Sequence, residues 1–231
     1  MPQKLQQYVG GSMSDLISRA ERFARLRHEG QFRKGKAKEP YTNHLVEEAA
    51  LVEHWSGSER VIAASWLHDT VEDCPPTSVD ELESLFNKDV ADIVAELTDD
   101  KSLPKADRKK LQIINAAKKS KEACLVKLAD KTSNIGAIAN SPPEDWTLDR
   151  RLKYIAWANT VVGQLPYLPK DGLSEFLKRC DQAELNAYDD LGTVRQAQNA
   201  AVSILERKAK RAGADEAQIR KFMLSFMQGA L

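Results

Sequence analysis

The chain has 231 residues, enough for one domain with a full hydrophobic core or one domain with a sizeable appendage. Its 34 lysines and arginines are matched by 34 aspartates and glutamates, so the formal net charge is zero although 29% of residues are charged. That balance excludes the basic excess expected of a nucleic-acid polymer binder.

The first stretch, MPQKLQQYVGGSMSDL, lacks an apolar signal core, and no run is long enough to span a bilayer. Helical spacing then recurs along the chain. Ser14 and Asp15 are placed to start a helix carrying Leu16, Ala20, Phe23 and Ala24, with Gly30 just past its end. The loop GQFRKGKAKEPY follows, and a second helix is expected from Thr42 or Asn43 through Leu45, Ala49 and Val52. Ser56 with Glu59 reads as a capping box for a third helix bearing Val61, Ala64, Leu67 and His68, which Pro75 and Pro76 end. Ser78 and Glu81 form a second capping box. Two further apolar stripes run through Val90–Leu97 and RKKLQIINAAKK. The segment EACLVKLADKTSNIGAIA is apolar first and polar later, and a helix with Leu152, Ile155 and Val162 stops at Pro166 and Pro169. Three more helices are expected near 173–190, 193–210 and 215–228. The fold class is all-α.

Cys74, Cys124 and Cys180 are odd in number, far apart and without a CxxC pair, so neither a disulfide framework nor a cysteine zinc site is expected. A reducing, cytoplasmic setting is the natural expectation, with no membrane association.

One stretch departs from ordinary surface chemistry. In SWLHDTVEDCPPT, His68, Asp69, Glu72 and Asp73 crowd three carboxylates onto about one helical turn, where like charges repel. Such crowding points to a positive partner, and a metal ion is the first candidate. His68 pairs with Glu72 and Asp69 with Asp73 at helical i,i+4 spacing.

The ordered set HEGQFRKG, PYTNHL, WLHDTVED and VKLADKTSN resembles the HD-type metal-dependent phosphohydrolases, in particular the hydrolase domain of RelA/SpoT enzymes and the small alarmone hydrolases. The likeness covers roughly residues 18–165. It implies an HD-domain bundle of about ten helices, with extra C-terminal helices: residues 1–170 as the hydrolase domain, and 171–231 as an extension packed on it or used for oligomerisation. It also implies one Mn²⁺ ion per chain, held by His44, His68, Asp69 and Asp130, with Glu72 and Asp73 orienting a water and shuttling its proton. Gln31, Arg33, Lys34, Tyr41, Lys131 and Asn134 fall on substrate-binding positions of the family. The implied activity is removal of the 3′-pyrophosphate from ppGpp-like nucleotides, by a monomer or homodimer acting on a small-molecule substrate. Alternatives are ppApp, the 2′-phosphate of NADPH, or nucleotide binding without turnover.

The chain departs from the family pattern where Leu45 replaces a proline after PYTNH and where Gly136 and Ala137 replace an arginine and a threonine. His28 and His54 read as structural, as do Trp66, Trp146 and Trp157.

Overall fold

A computed structural model describes residues 13–189, 194–215 and 218. These form eleven helices: α1 (Met13–Arg27), α2 (Thr42–His54), α3 (Glu59–Leu67), α4 (Thr70–Asp73), α5 (Val79–Leu85), α6 (Lys88–Leu97), α7 (Lys105–Ala116), α8 (Lys121–Asn140), α9 (Leu148–Gly163), α10 (Lys170–Asp189) and α11 (Val194–Arg211). Among the described residues, extended pairing is limited to one isolated bridge between Phe32 and Pro40. The all-α expectation holds. The last expected helix, near 215–228, lies outside the described residues.

Helix α8 is the axis of the domain. Residues Ala123 to Ser133 are buried without a break, as befits a helix covered on every side. It packs against α2, α3, α6, α9 and α10. Its apolar half, Cys124, Leu125, Val126 and Leu128, joins Leu45, Val52, Leu67, Val94 and Phe176 in one core. Each such side chain contributes roughly 1.5–3 kcal/mol by leaving water. The buried polar residues of α8, from Lys127 through Asp130 to Ser133, carry no such gain and need partners.

The chain reverses between α2 and α3 at Gly57, where a β-carbon would sit 2.4 Å from Val52 Cγ1. Ser58 occupies the N-cap of α3 with no side-chain cap bond, and Ser56 has a left-handed φ of 61°, so the expected Ser56–Glu59 capping box does not form. The box at Ser78 does form in its first half: Glu81 N donates to Ser78 Oγ at 3.2 Å.

The third helix also ends earlier than its sequence pattern suggests. It stops at Leu67, and α4 starts three residues later. Ser65, His68 and Thr70 each turn a side-chain donor to the carbonyl three residues back, at 2.7, 2.9 and 2.7 Å. These local bonds take up carbonyls that a continuing helix would use. Asp69 sits between the two helices at φ −93°, ψ −6°, the bridge region in which many active-site residues sit.

Candidate active site

Three elements converge at the break. Helix α2 brings His44 and Glu48, the α3–α4 link brings His68 and Asp69, and α8 brings Asp130. One donor atom from each of His44, Glu48, His68 and Asp130 lies within 4.8 Å of all the others, and all four residues are buried. Asp69 completes the group. Its Oδ2 is 3.0 Å from His68 Nε2 and 3.7 Å from His44 Nε2, which in turn is 3.9 Å from Asp130 Oδ1. Donors around one octahedral ion with bonds of about 2.1 Å stand about 3 Å apart when adjacent and about 4.2 Å apart when opposite. The separations of 3.0, 3.7 and 3.9 Å fall within that window.

The hydrogen bonding supports the same conclusion. His68 Nε2 and both carboxylate oxygens of Glu48 are buried without a hydrogen-bond partner. Their short approaches, 2.9 Å between Glu48 Oε1 and His44 Nε2 and 3.1 Å between Glu48 Oε2 and His68 Nδ1, lack hydrogen-bond alignment. Orphaned donors and acceptors in a dry core are costly. Groups aimed at a common third atom look this way. Imidazole and carboxylate together fit a divalent metal ion.

Electrostatics agree. Burial lowers the His68 imidazole, yet the Asp69 and Glu48 carboxylates outweigh it and push the group up to about 10. Burial raises Asp69, but His68 and His44 hold it well below the usual carboxylate range. Asp130 is also held low against burial, by Lys131 and Lys127. Carboxylates that raise a buried imidazole against its desolvation make a strongly negative pocket, which suits a cation.

Around this centre lies a cavity of about 680 Å³, within the roughly 300–1,000 Å³ common for small-molecule sites. Gln31, Arg33, Lys34, Tyr41, His44, Asp73 and Asn134 line it, together with Lys101, Lys105, Arg108, Trp146 and Tyr154. The cations crowd one another. Burial and then the charges of Lys34, Arg150 and Arg108 depress Lys105. A mutually repelling basic wall above a metal-type cluster suits a polyanion.

The sequence of the HD domain family matches residues 20–158. The chain belongs to the HD domain family. Over 145 residues it is 44% identical to the Drosophila melanogaster guanosine-3′,5′-bis(diphosphate) 3′-pyrophosphohydrolase MESH1, which spans 62% of this chain and 80% of that protein. The Homo sapiens protein of the same name is 40% identical over 156 residues, 67% of this chain and 86% of that one. A solved structure described as a metazoan ortholog of SpoT that hydrolyzes ppGpp superposes with a TM-score of 0.70 and 36% identity, covering 75% of this chain and 98% of that chain.

Within this HD domain Tyr41, His44, His68, Asp69 and Asp130 meet at the cluster, and Gln31, Arg33, Lys34, Asp73 and Asn134 line the cavity, whereas Glu72 and Lys131 do not line it. Tyr41 hydroxyl donates to Asp69 Oδ2, and its ring stacks on His28 at 4.8 Å. His28 is thus buried packing for the site, while His54 is exposed at the end of α2. Gln31 Nε2 donates to the Asp73 carbonyl at 3.2 Å. Arg33 donates to Ser133 Oγ at 3.2 Å and Asn134 Oδ1 at 3.1 Å, and Asn134 in turn donates to Asp130. Lys131 is buried with its ammonium 2.8 Å from Asp130 Oδ2 and over the Trp157 ring, which places it on a metal-cluster carboxylate rather than on the cavity wall. Glu72 accepts from Asp99 N at 2.6 Å, and Asp73 pairs with Lys101 at 2.6 Å.

Sequence reasoning missed Glu48 in the cluster and, on the cavity wall, Lys101, Lys105, Arg108, Trp146 and Tyr154. Glu48 is fully buried in the cluster; its signal was a glutamate on the apolar stripe of α2, between Leu45 and Val52 and four residues after His44. Lys101 and Arg108 lie in no motif and reach the site only through folding. Trp146, expected as packing, lines the cavity with Arg150 over its ring at 4.6 Å.

Proposed function

We propose that the protein is a Mn²⁺-dependent 3′-pyrophosphohydrolase of ppGpp, taking up water and yielding GDP and pyrophosphate. The observation that carries this reading is the buried His44, His68 and Asp130 with the part-buried Asp69 beneath a basic, nucleotide-sized cavity, in a chain 40–44% identical to enzymes named for that reaction. A divalent ion held there acidifies a water and offsets charge developing on the phosphoryl group.

The chain's own residues supply the rest. His68 Nδ1 donates to the Ser65 carbonyl at 2.9 Å, which leaves Nε2 as the ligating nitrogen. Tyr41 and Asn134 hold the Asp69 and Asp130 carboxylates from behind. Glu72, lifted by burial, takes the proton of the attacking water, and Asp73 orients that water. Arg33, Lys34, Lys105 and Arg108 bind the phosphates, while Trp146 and Tyr154 offer flat faces to the base. Lys131 fixes Asp130.

We assign residues 1–170 to the hydrolase domain and 171–231 to an extension of it; the packing of α10 along α8 supports an extension seated on that domain. No described helix is long and apolar enough to cross a membrane. The three cysteines are buried free thiols, in keeping with a reducing, cytoplasmic compartment.

Product analysis across ppGpp, pppGpp, ppApp and NADPH, with Mn²⁺ added back to metal-stripped protein, tests the reading. Pyrophosphate from ppGpp is the expected result. Orthophosphate from NADPH alone would replace the alarmone by a 2′-phosphate, and binding without product would make the chain a nucleotide sensor.

A further inference from the structure

The extension beyond the HD match reaches the metal cluster through a continuous line of hydrogen bonds. On α10, Arg179 Nη1 donates to Glu47 Oε1 and, at 3.4 Å, to the Thr132 carbonyl. Arg179 Nε is held by Glu175 Oε1 at 2.8 Å. The second oxygen of Glu47 accepts from Ser133 Oγ at 2.5 Å. Ser133 Oγ lies 2.8 Å from His44 Nδ1.

Proton counting gives this line a direction. An ionised carboxylate only accepts, and a serine hydroxyl has one proton. Ser133 gives that proton to Glu47, so its oxygen accepts from His44, and His44 must carry its proton on Nδ1. In the neutral imidazole Nε2, which faces Glu48, Asp69 and Asp130, is then left with its lone pair. The ion pair with the Arg179 guanidinium keeps Glu47 the acceptor in this line. Gly136 makes the reach possible: a β-carbon there would lie 2.8 Å from Arg179 Nη1.

We propose that Glu47 and Arg179 are positioning residues for the metal centre, acting through Ser133 to hold His44 in the tautomer that can ligate. Helix α10, outside the matched family region, thereby sets how tightly the HD site holds its ion. This rests on the metal reading above. Ligating histidines depend on such outer partners, whose loss typically weakens metal affinity by about 10–100-fold.

The test is calorimetric titration of metal-stripped protein with Mn²⁺ alone, alongside metal-free melting temperatures. Glu47→Ala and Ser133→Ala should each weaken Mn²⁺ binding by about tenfold or more. The double variant should match the worse single one, because both cut the same line. Glu47→Gln, whose amide oxygen still accepts from Ser133, should retain most of the affinity, and Arg179→Ala should lose part of it. Unchanged affinity with a lowered metal-free melting temperature would overturn the proposal, making Arg179–Glu47 a clasp for α10 only. Losses that multiply in the double variant would overturn it too. Wild-type protein that binds no divalent ion would instead overturn the metal reading, and this inference with it.

Discussion

Glu48 Oε1 stands 2.9 Å from His44 Nε2, one helical turn further along α2, and both groups are buried. A carboxylate sealed in a core without hydrogen bonds destabilises the fold unless a cation joins it. Glu48→Met should therefore move two quantities in opposite directions. Metal-free stability should rise by about 1 kcal/mol or more, while Mn²⁺ affinity should fall. Melting curves with and without Mn²⁺ check both; a parallel fall would mean that Glu48 is structural alone.

Asp69 and His68 share the break between α3 and α4, and each aims at the cluster. Alanine at either position should remove Mn²⁺ retention and activity together, as read by metal analysis after gel filtration. Full activity of His68→Ala after chelation and Mn²⁺ return would show the cluster to be misassigned.

Burial, with the charges of Asp69 and Asp99, lifts the Glu72 carboxyl above its ordinary value against the hydrogen bond from Asp99 N. Only the ionised form accepts a proton, so kcat at saturating Mn²⁺ should fall as pH drops through that raised value. Glu72→Gln should lower turnover by roughly 10²–10⁴-fold and flatten this limb, with metal and nucleotide still bound. An unaltered pH profile would remove Glu72 from proton transfer.

Arg108 lines the cavity from α7, at a distance from the cluster along the chain. Its charge is available to phosphate oxygens in ground state and transition state alike. Arg108→Ala should raise KM for ppGpp by roughly tenfold or more, the value of a charge-assisted hydrogen bond, with kcat little changed. An equal fall in kcat would mean that the contact forms only at the transition state.

The base should be read loosely. Gly136 and Ala137 offer no side-chain donor, and Ala137 is part of the cavity wall. Stacking on Trp146 or Tyr154 accepts either purine. ppApp should be hydrolysed with kcat/KM within roughly a factor of 10–200 of ppGpp. A guanine preference above about 10⁴ would indicate a hydrogen-bonded base edge.

The local chemistry of this protein was written in its sequence. The apolar stripes of α1, α2, α6 and α9 follow helical spacing, and HDTVED pointed to a cation because like charges in one turn need a counter-charge, while PYTNH and LAD joined it only through the resemblance to the HD family. Three features are not local, and only the tertiary structure decided them. The break after Leu67 depends on the side chains of Ser65, His68 and Thr70 capturing carbonyls that helical periodicity assigns to the ladder. Glu48 looks like any surface glutamate until α3 and α8 close over α2 and deprive it of water. Arg179 and Glu47 are 132 positions apart, and no spacing rule joins them. They meet because α10 packs along α8 and Gly136 leaves room for a guanidinium to pass.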